Sequence, residues 1–288
     1  MVGLWNKEKE KEFFYQSFKF GNLEKLFYLC DNGKYYAYYP KNYKGKKLTL
    51  QSRNYLIGNF TEKYSVDLLQ SYSKSKGLYA VQDVVCNEIG LTNISPADFC
   101  ICKTNNRHQT VENIVVIFEV KMSIVWNWEF INNELVCVGD FNTHQGTPGL
   151  LRSDSMLKAI GKSINIRVSG LRSAHIPIII LGNTPIQKSY YEKTDHLKNN
   201  GIIQGFISVN KNPINNDNYN IKNTLLNGFI RIDKIDELYQ YLDDLLDYSG
   251  MYFPIMKTKE EIGKIIEISN MENTYELKAE KFLYLIKG

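Results

Sequence analysis

The chain has no run of apolar residues near the roughly 18 that a membrane-crossing helix requires. Its start, Met1 to Glu10, turns charged at Lys7 and lacks the apolar stretch of a secretion signal. A soluble, cytoplasmic protein with no membrane partner is expected. Cysteine is scarce: Cys30, Cys86, Cys100, Cys102 and Cys137 are all there is, with no second CxxC and no histidine pair to complete a zinc set. These are expected to be small buried apolar residues in a reducing compartment. The four histidines, His108, His144, His175 and His196, are scattered, so no HNH, zinc or Ser/His/Asp arrangement forms, and His144 is a poor candidate for a catalytic base. Gly182-Asn183-Thr184-Pro185 lacks a P-loop lysine, and no GxGxxG occurs, which excludes the common nucleotide-binding loops. Repeats, low-complexity tracts and helicase, ATPase or methyltransferase motifs are also missing.

What is present is ordinary in bulk and uneven in detail. The 288 residues are 43% hydrophobic and 23% charged, enough for a packed core and too apolar for wholesale disorder. Net charge is only +4, but Phe18 to Arg53 holds eight Lys/Arg against two acids, Glu24 and Asp31, interleaved with Tyr28, Tyr35, Tyr36, Tyr38, Tyr39 and Tyr43. Cations neutralise phosphates and phenols stack or hydrogen-bond, so Lys44, Lys46 and Lys47 mark a candidate nucleic-acid face. A Tyr-rich hairpin with solvated lysines would show the same composition.

Periodicity predicts a helix over 7–16, two or three strands within 25–57 turning at Asp31-Asn32-Gly33, and a helix capped by Thr61 and running to Ser75. Strands follow at Tyr79–Cys86, Ala97–Cys102 and Ile114–Val120, then a hairpin over 125–138 turning at Asn132-Asn133. A helix over Ser153–Val168 is expected to bury Met156, Leu157, Ile160, Ile164 and Val168. A strand at Ile176–Leu181, a helix near 186–199 and a strand near 202–209 complete an α/β pattern, and the chain from about Asp233 reads as helices. The order helix, three strands, helix, strand over 61–182 implies a mixed central sheet flanked by helices.

One strand of this outline ends unusually. Phe118-Glu119-Val120-Lys121 closes an apolar run with a carboxylate and an ammonium two residues apart, hence on one face. Such groups are costly to bury without a partner or a purpose. The preceding strand opens Pro96-Ala97-Asp98, and a turn between the two strands would bring Asp98 to Glu119. A structural ion pair at a sheet end is the plainer alternative. Glu276-x-Lys278 repeats the triplet, but in a charged helical tail with no upstream acid.

The Pro96-Ala97-Asp98 and Glu119-Val120-Lys121 segments, in this order of elements, resemble the PD-(D/E)XK nuclease superfamily and its type II restriction endonucleases. The spacing departs from the family's by one residue between Pro96 and Asp98, which leaves Asp98 on its strand. The resemblance implies a restriction-endonuclease-like core that hydrolyses phosphodiesters with Mg²⁺. Asp98 and Glu119 would bind the metal and Lys121 would assist the water. Glu62, placed in the first turn of the helix before the first strand, would add an acid. It also implies double-stranded DNA as substrate, a homodimer, and a cognate DNA methyltransferase as a genetic partner. A repair, recombination or phage-defence nuclease of the same superfamily and a non-catalytic DNA-binding protein on the same fold remain open readings. The chain is read as one domain, with a core of about 58–210, an N-terminal basic, strand-rich region 1–57 and a C-terminal helical region 211–288. The polar loop Asp140–Gly149 and the helix start after it offer Asn142, His144, Gln145, Arg152 and Ser153 as DNA contacts, since amides and guanidinium groups read base edges and a helix N-terminus favours phosphate.

Overall fold

The computed structural model describes residues 2–215, 220–248, 250–253 and 257–287. Helix α1 (Lys7–Ser17) starts under Asn6, whose side chain accepts from the Lys9 amide. A single turn, α2 (Leu23–Leu26), leads into two two-residue strands, β1 (Tyr28–Leu29) and β2 (Tyr35–Tyr36). Gly33, at φ +74°, turns the chain between them. The expected strand content ends there, because 51–57 is helical: α3 spans Gln51–Ser75. Arg53, Ile57, Thr61, Tyr64, Leu68 and Tyr72 recur at three- and four-residue spacing and make one continuous buried stripe. Thr61 is therefore no cap. It lies ten residues into the helix and donates to the Gly58 carbonyl.

The six-stranded sheet runs β10-β9-β8-β5-β4-β3. Strands β3 (Tyr79–Val84), β4 (Ala97–Cys102) and β5 (Ile114–Lys121) are antiparallel. Strands β8 (Ile178–Gly182), β9 (Gly205–Ser208) and β10 (Phe229–Arg231) continue from β5 in parallel. Between β5 and β8 come β6 (Asn127–Ile131) and β7 (Glu134–Gly139), a hairpin whose turn residues Asn132 and Asn133 both have positive φ, the geometry of a type I′ turn. With β1 and β2 they form a separate four-stranded sheet.

Alternation along the strands feeds two cores. Phe99, Ile101, Val116, Phe118, Val120 and Leu181 face α3, α1 and helix α6 (Ile235–Leu246). Cys100, Cys102, Ile117, Ile178 and Ile180 face helix α4 (Ser153–Ser169). The central strands are apolar on both faces because both are covered. The four cysteines Cys30, Cys86, Cys100 and Cys102 are buried, and all five are free thiols.

Helix α4 is rotated relative to the expected face. It buries Met156, Ala159, Ser163, Ile166 and Arg167, while Leu157, Ile164 and Val168 lie in solvent. Small Ala159 and Ser163 let the helix approach the sheet. Arg167 is paired with carbonyls of Ser173, Ile176 and Ile202 and with Gln204 Oε1, and burial lowers its pKa to about 9. Helix α5 (Tyr191–Asn199) covers the sheet edge near β9 and β10. Helices α7 (Lys259–Ser269) and α8 (Tyr275–Lys287) pack on each other, in keeping with the helical reading of the C-terminal part. No helix among the described residues is long and apolar enough to cross a membrane.

Candidate active site

The pairing of β4 with β5 sets the register. Phe99 lies opposite Phe118, with their rings stacked at 4.4 Å. The next residues outward are Asp98 and Glu119. The strand alternation turns both toward the α4 face, along with Lys121 two residues on.

Four charges meet at this end of the sheet. Lys121 Nζ lies 3.4 Å from Asp98 Oδ2 and 3.3 Å from Glu119 Oε2. From the opposite side, Lys162 of α4 sets its Nζ against Glu119 Oε1 and 3.5 Å from Asp98 Oδ1. The Val120 amide donates to Asp98 Oδ2 at 2.6 Å, so the strand carrying Glu119 and Lys121 also holds the Asp98 carboxylate. Glu119 is 1% exposed; burial raises its pKa, with the Asp98 charge adding to the shift. Burial lowers that of Lys121, but the two carboxylates outweigh it and hold the ammonium above its usual value. Lys162 is the residue that sequence reasoning missed. It follows Gly161 on a helix face read as solvent-facing, and only the packing of α4 on the sheet aims it inward.

Glu62 comes to the site from the other face of the sheet. It lies near the middle of α3 rather than in a first turn, because the helix begins at Gln51. Its carboxylate accepts from Gln82 Nε2 of β3 at 3.3 Å. Burial, then the charges of Asp98 and Asp83, raise its pKa to about 7. Asp83 itself adopts φ +53°, a conformation that Asp tolerates better than most residues.

Among the described residues, no three His, Cys, Asp or Glu side chains close on one point as a finished metal cage. Magnesium does not need one, since it is commonly held by one or two carboxylates with retained waters and substrate phosphate oxygens. Asp98 and Glu119 offer the hard oxygens that Mg²⁺ takes, but Lys121 and Lys162 already occupy them, so a metal would have to displace at least one ammonium.

The remaining candidates separate into groups. Lys44, Lys46 and Lys47 are exposed on the loop after β2, as is Lys41. That loop is tied to the 140–146 loop: Pro40 bridges to His144, the Lys41 amide donates to Thr143, and Gln145 Nε2 donates to the carbonyls of Lys41 and Tyr43. Gln145 is thus a brace between loops, its amide N–H groups already spent. His144 is corrected as a DNA contact. It is 1% exposed, its ring stacks on Tyr38 at 4.1 Å, its Nε2 lies 3.1 Å from the Val125 carbonyl, and burial lowers its pKa to about 4. Asn142 is exposed on the same loop. Arg152 and Ser153 are exposed at the start of α4, where Arg152 forks onto Asp154 at 2.9 and 2.6 Å. Their approach to β5 is set by Gly149. At φ +54° it lies so close that a Cβ would be 3.1 Å from the Lys121 carbonyl oxygen.

No protein-family model, curated protein or solved structure matches the chain.

Proposed function

We propose that the chain is a Mg²⁺-dependent DNA endonuclease with a restriction-endonuclease-like core, acting as a type II restriction enzyme. The observation that carries this reading is the convergence of Asp98, Glu119 and Lys121 at the ends of two paired strands, in the order of elements that the nuclease resemblance requires, with one residue more between Pro96 and Asp98 than the family has. Asp98 and Glu119 would hold the metal, which when bound neutralises charge on phosphate oxygens and acidifies a water. Lys121 orients the attacking water and stabilises the charge that develops beside it. Glu62, with a pKa near neutrality, is suited to take up a proton at the pH where the enzyme would work. Lys162 balances the two carboxylates from the α4 side. The lysines of the loop after β2 and the exposed groups Asn142, Arg152 and Ser153 supply phosphate and base contacts.

The test is incubation of long, unmodified DNA with Mg²⁺ or with chelator, followed by sequencing of fragment ends. Discrete, metal-dependent fragments support the reading. Cutting confined to branched, damaged or terminal DNA would move the chain to a repair-type nuclease, and binding without cutting would make it a DNA-binding protein. In the same assay, Asp98→Ala and Glu119→Ala are expected to abolish cleavage and retain DNA binding. Lys121→Ala should lose about 10²–10⁴ in single-turnover rate, whereas Lys278→Ala should cut normally. Lys278 sits on α8, its ammonium 5.7 Å from the Tyr275 ring centre, among groups unconnected with the sheet end.

A further inference from the structure

The six-stranded sheet ends in a cavity that the candidate active site does not use. Its volume is about 830 Å³. Small-molecule sites commonly measure roughly 300–1,000 Å³. It lies outside the carboxyl ends of the parallel strands, where open α/β sheets bind ligands. Trp126 follows β5, Lys211, Asn212 and Asn215 follow β9, and Asp233 follows β10, while the segment from Gly3 to Glu8 supplies most of the remaining wall. Trp5 and Trp126 belong to the core on the α1 face, opposite the face to which Asp98, Glu119 and Lys121 turn.

The walls are held in place by the fold itself. The Trp5 amide donates to the Val209 carbonyl at 2.9 Å, and the Tyr64 hydroxyl to the Gly3 carbonyl at 2.9 Å. Glu10 accepts from the Trp5 indole and from the Trp126 amide. Buried Asn210 donates to the Asn183 carbonyl and accepts from the Asn212 amide, which shapes the loop after β9. What these walls present is an excess of donors. The Asn6 side chain takes the Lys9 amide and leaves the Lys7 and Glu8 amides, at the start of α1, without a partner among the described residues. Lys7 Nζ donates to a neutral group, Asn215 Oδ1, at 3.2 Å, and stands 5.8 Å from the Trp126 ring centre. The Trp126 indole N–H is buried and has no hydrogen-bond partner among the described residues, whereas Trp5 and Trp128 give theirs to Glu10. The acids of the lining are already matched, Glu8 with Lys11 at 3.5 Å and Asp233 with Lys222 and Arg231 at 2.9 and 2.8 Å. A buried donor left unpaired costs free energy, so one in a cavity wall is explained by an acceptor that comes from outside the chain.

We propose that this cavity binds one nucleotide unit. Its phosphate lies on the first amides of α1 with Lys7 and Lys211, where the helix dipole and two ammoniums favour an anion. Its base turns to the apolar wall of Leu4, Trp5 and Ile214, and the side-chain amides of Asn212 and Asn215 meet its hydrogen-bonding edge. The cavity is far larger than an inorganic anion needs, and amides supply both donors and acceptors to a planar ring. A free nucleotide and one nucleotide of a strand present the same chemistry here. The site does not rest on the nuclease reading.

The test is calorimetric titration of the full chain in chelator, which silences metal-dependent cleavage. The probes are the four deoxynucleoside 5′-monophosphates, the matching nucleosides and inorganic phosphate. At least one monophosphate should bind about tenfold or more tightly than its nucleoside and than phosphate alone. Trp126→Phe keeps a ring and drops an N–H that the fold does not bond, so its melting temperature should hold while its affinity falls about fivefold. Lys211→Ala, at an exposed position, should fold normally and lose about tenfold. The chain has three tryptophans, and in the spectrum of isotope-labelled protein the Trp126 indole should shift most, because Glu10 holds the other two. Competition separates the sources. An unphosphorylated single strand or duplex that displaces the monophosphate puts a nucleotide of the strand in the cavity, and failure to displace it assigns the cavity to free nucleotide. Absence of monophosphate binding, phosphate binding as tightly as nucleotide, or unchanged affinity in both variants would each overturn the inference. With chelator present throughout, none of these outcomes bears on the nuclease reading, so the two fail separately.

Discussion

Lys162 and Lys121 grip the same two carboxylates from opposite sides, one from a helix and one from the strand beneath it. The strand lysine is fixed by its position next to Glu119, while the helix lysine depends on how α4 lies. Lys162→Met is therefore expected to leave Asp98 and Glu119 under-compensated. Stability should fall more at pH 8 than at pH 5, because burial raises the pKa of Glu119 and its carboxylate is more fully ionised at the higher pH, and millimolar Mg²⁺ should recover part of the loss. Thermal denaturation at the two pH values with and without Mg²⁺ checks this. A pH-independent loss would reduce Lys162 to a packing residue.

Glu62 gives a second pH signature. Its carboxyl ionises near 4.5 in an unfolded chain and about 7 in the fold. Between these values the folded protein holds a proton that the unfolded chain has released, so this group makes stability fall as pH rises through that window. Glu62→Gln removes the effect. The variant should melt above wild type at pH 8 and alongside it at pH 4.5. Its cleavage should be slower, and it should lose the rise in rate through about pH 7 expected of the wild type. Equal melting at pH 8 would mean that the carboxylate carries no strain.

Neutralising Lys41, Lys44, Lys46 and Lys47 together should weaken binding to every DNA sequence alike. Each lost phosphate contact lowers the slope of log K against log salt by about 0.9. Binding titrations at several salt concentrations measure it, and an unchanged slope would turn this loop away from DNA. Because Gln145 braces the loop to the 140–146 segment, Gln145→Ala should also weaken binding, through looser geometry, with the slope nearly intact.

Glu10 is wholly buried and accepts from the Trp5 and Trp128 indoles and from the Val125 and Trp126 amides, while burial pushes its pKa up to about 7. Removing it strands four buried donors. Glu10→Ala is expected to cost about 3–5 kcal/mol, with Glu10→Gln losing less because it keeps an acceptor oxygen. Urea unfolding of both variants decides; a loss under about 1 kcal/mol for the alanine would mean water replaces the carboxylate.

The sheet and its end were legible in the chain because they follow from local pattern. Buried strands read as apolar runs, and an acid and a lysine closing such a run stand out. What escaped depended on tertiary packing. The tyrosines ahead of Gln51 read as strands, so sequence pattern caps α3 at Thr61, eleven residues after its actual cap position at Leu50. The buried face of α4 uses Ala159, Ser163 and Arg167, whose chemistry reads as solvent-facing, while its apolar residues look outward. Lys162 was hidden by the same misreading. His144 reads as a loop histidine in the sequence because its burial comes from stacking on Tyr38, 106 residues earlier, and from contact with Val125, 19 residues earlier.

Helix α3 ties the N-terminal region to the candidate site. Arg53, two residues into the helix, is clamped by the carbonyls of Leu26 and Ala37 and lies over the rings of Tyr28 and Tyr38; Glu62 rides nine residues further along the same rod. A helix is stiff over so short a span, so a shift at the Tyr-rich end would be carried to Glu62 as through a lever arm. Trimming the chain at residue 58 would saw that rod through and strip the Trp5 and Phe13 rings from Phe60 and the Trp5 ring from Tyr64. On the proposed nuclease reading, the part that would grip nucleic acid and the part that would cut it share one rigid element, so neither could be exchanged between proteins without the other.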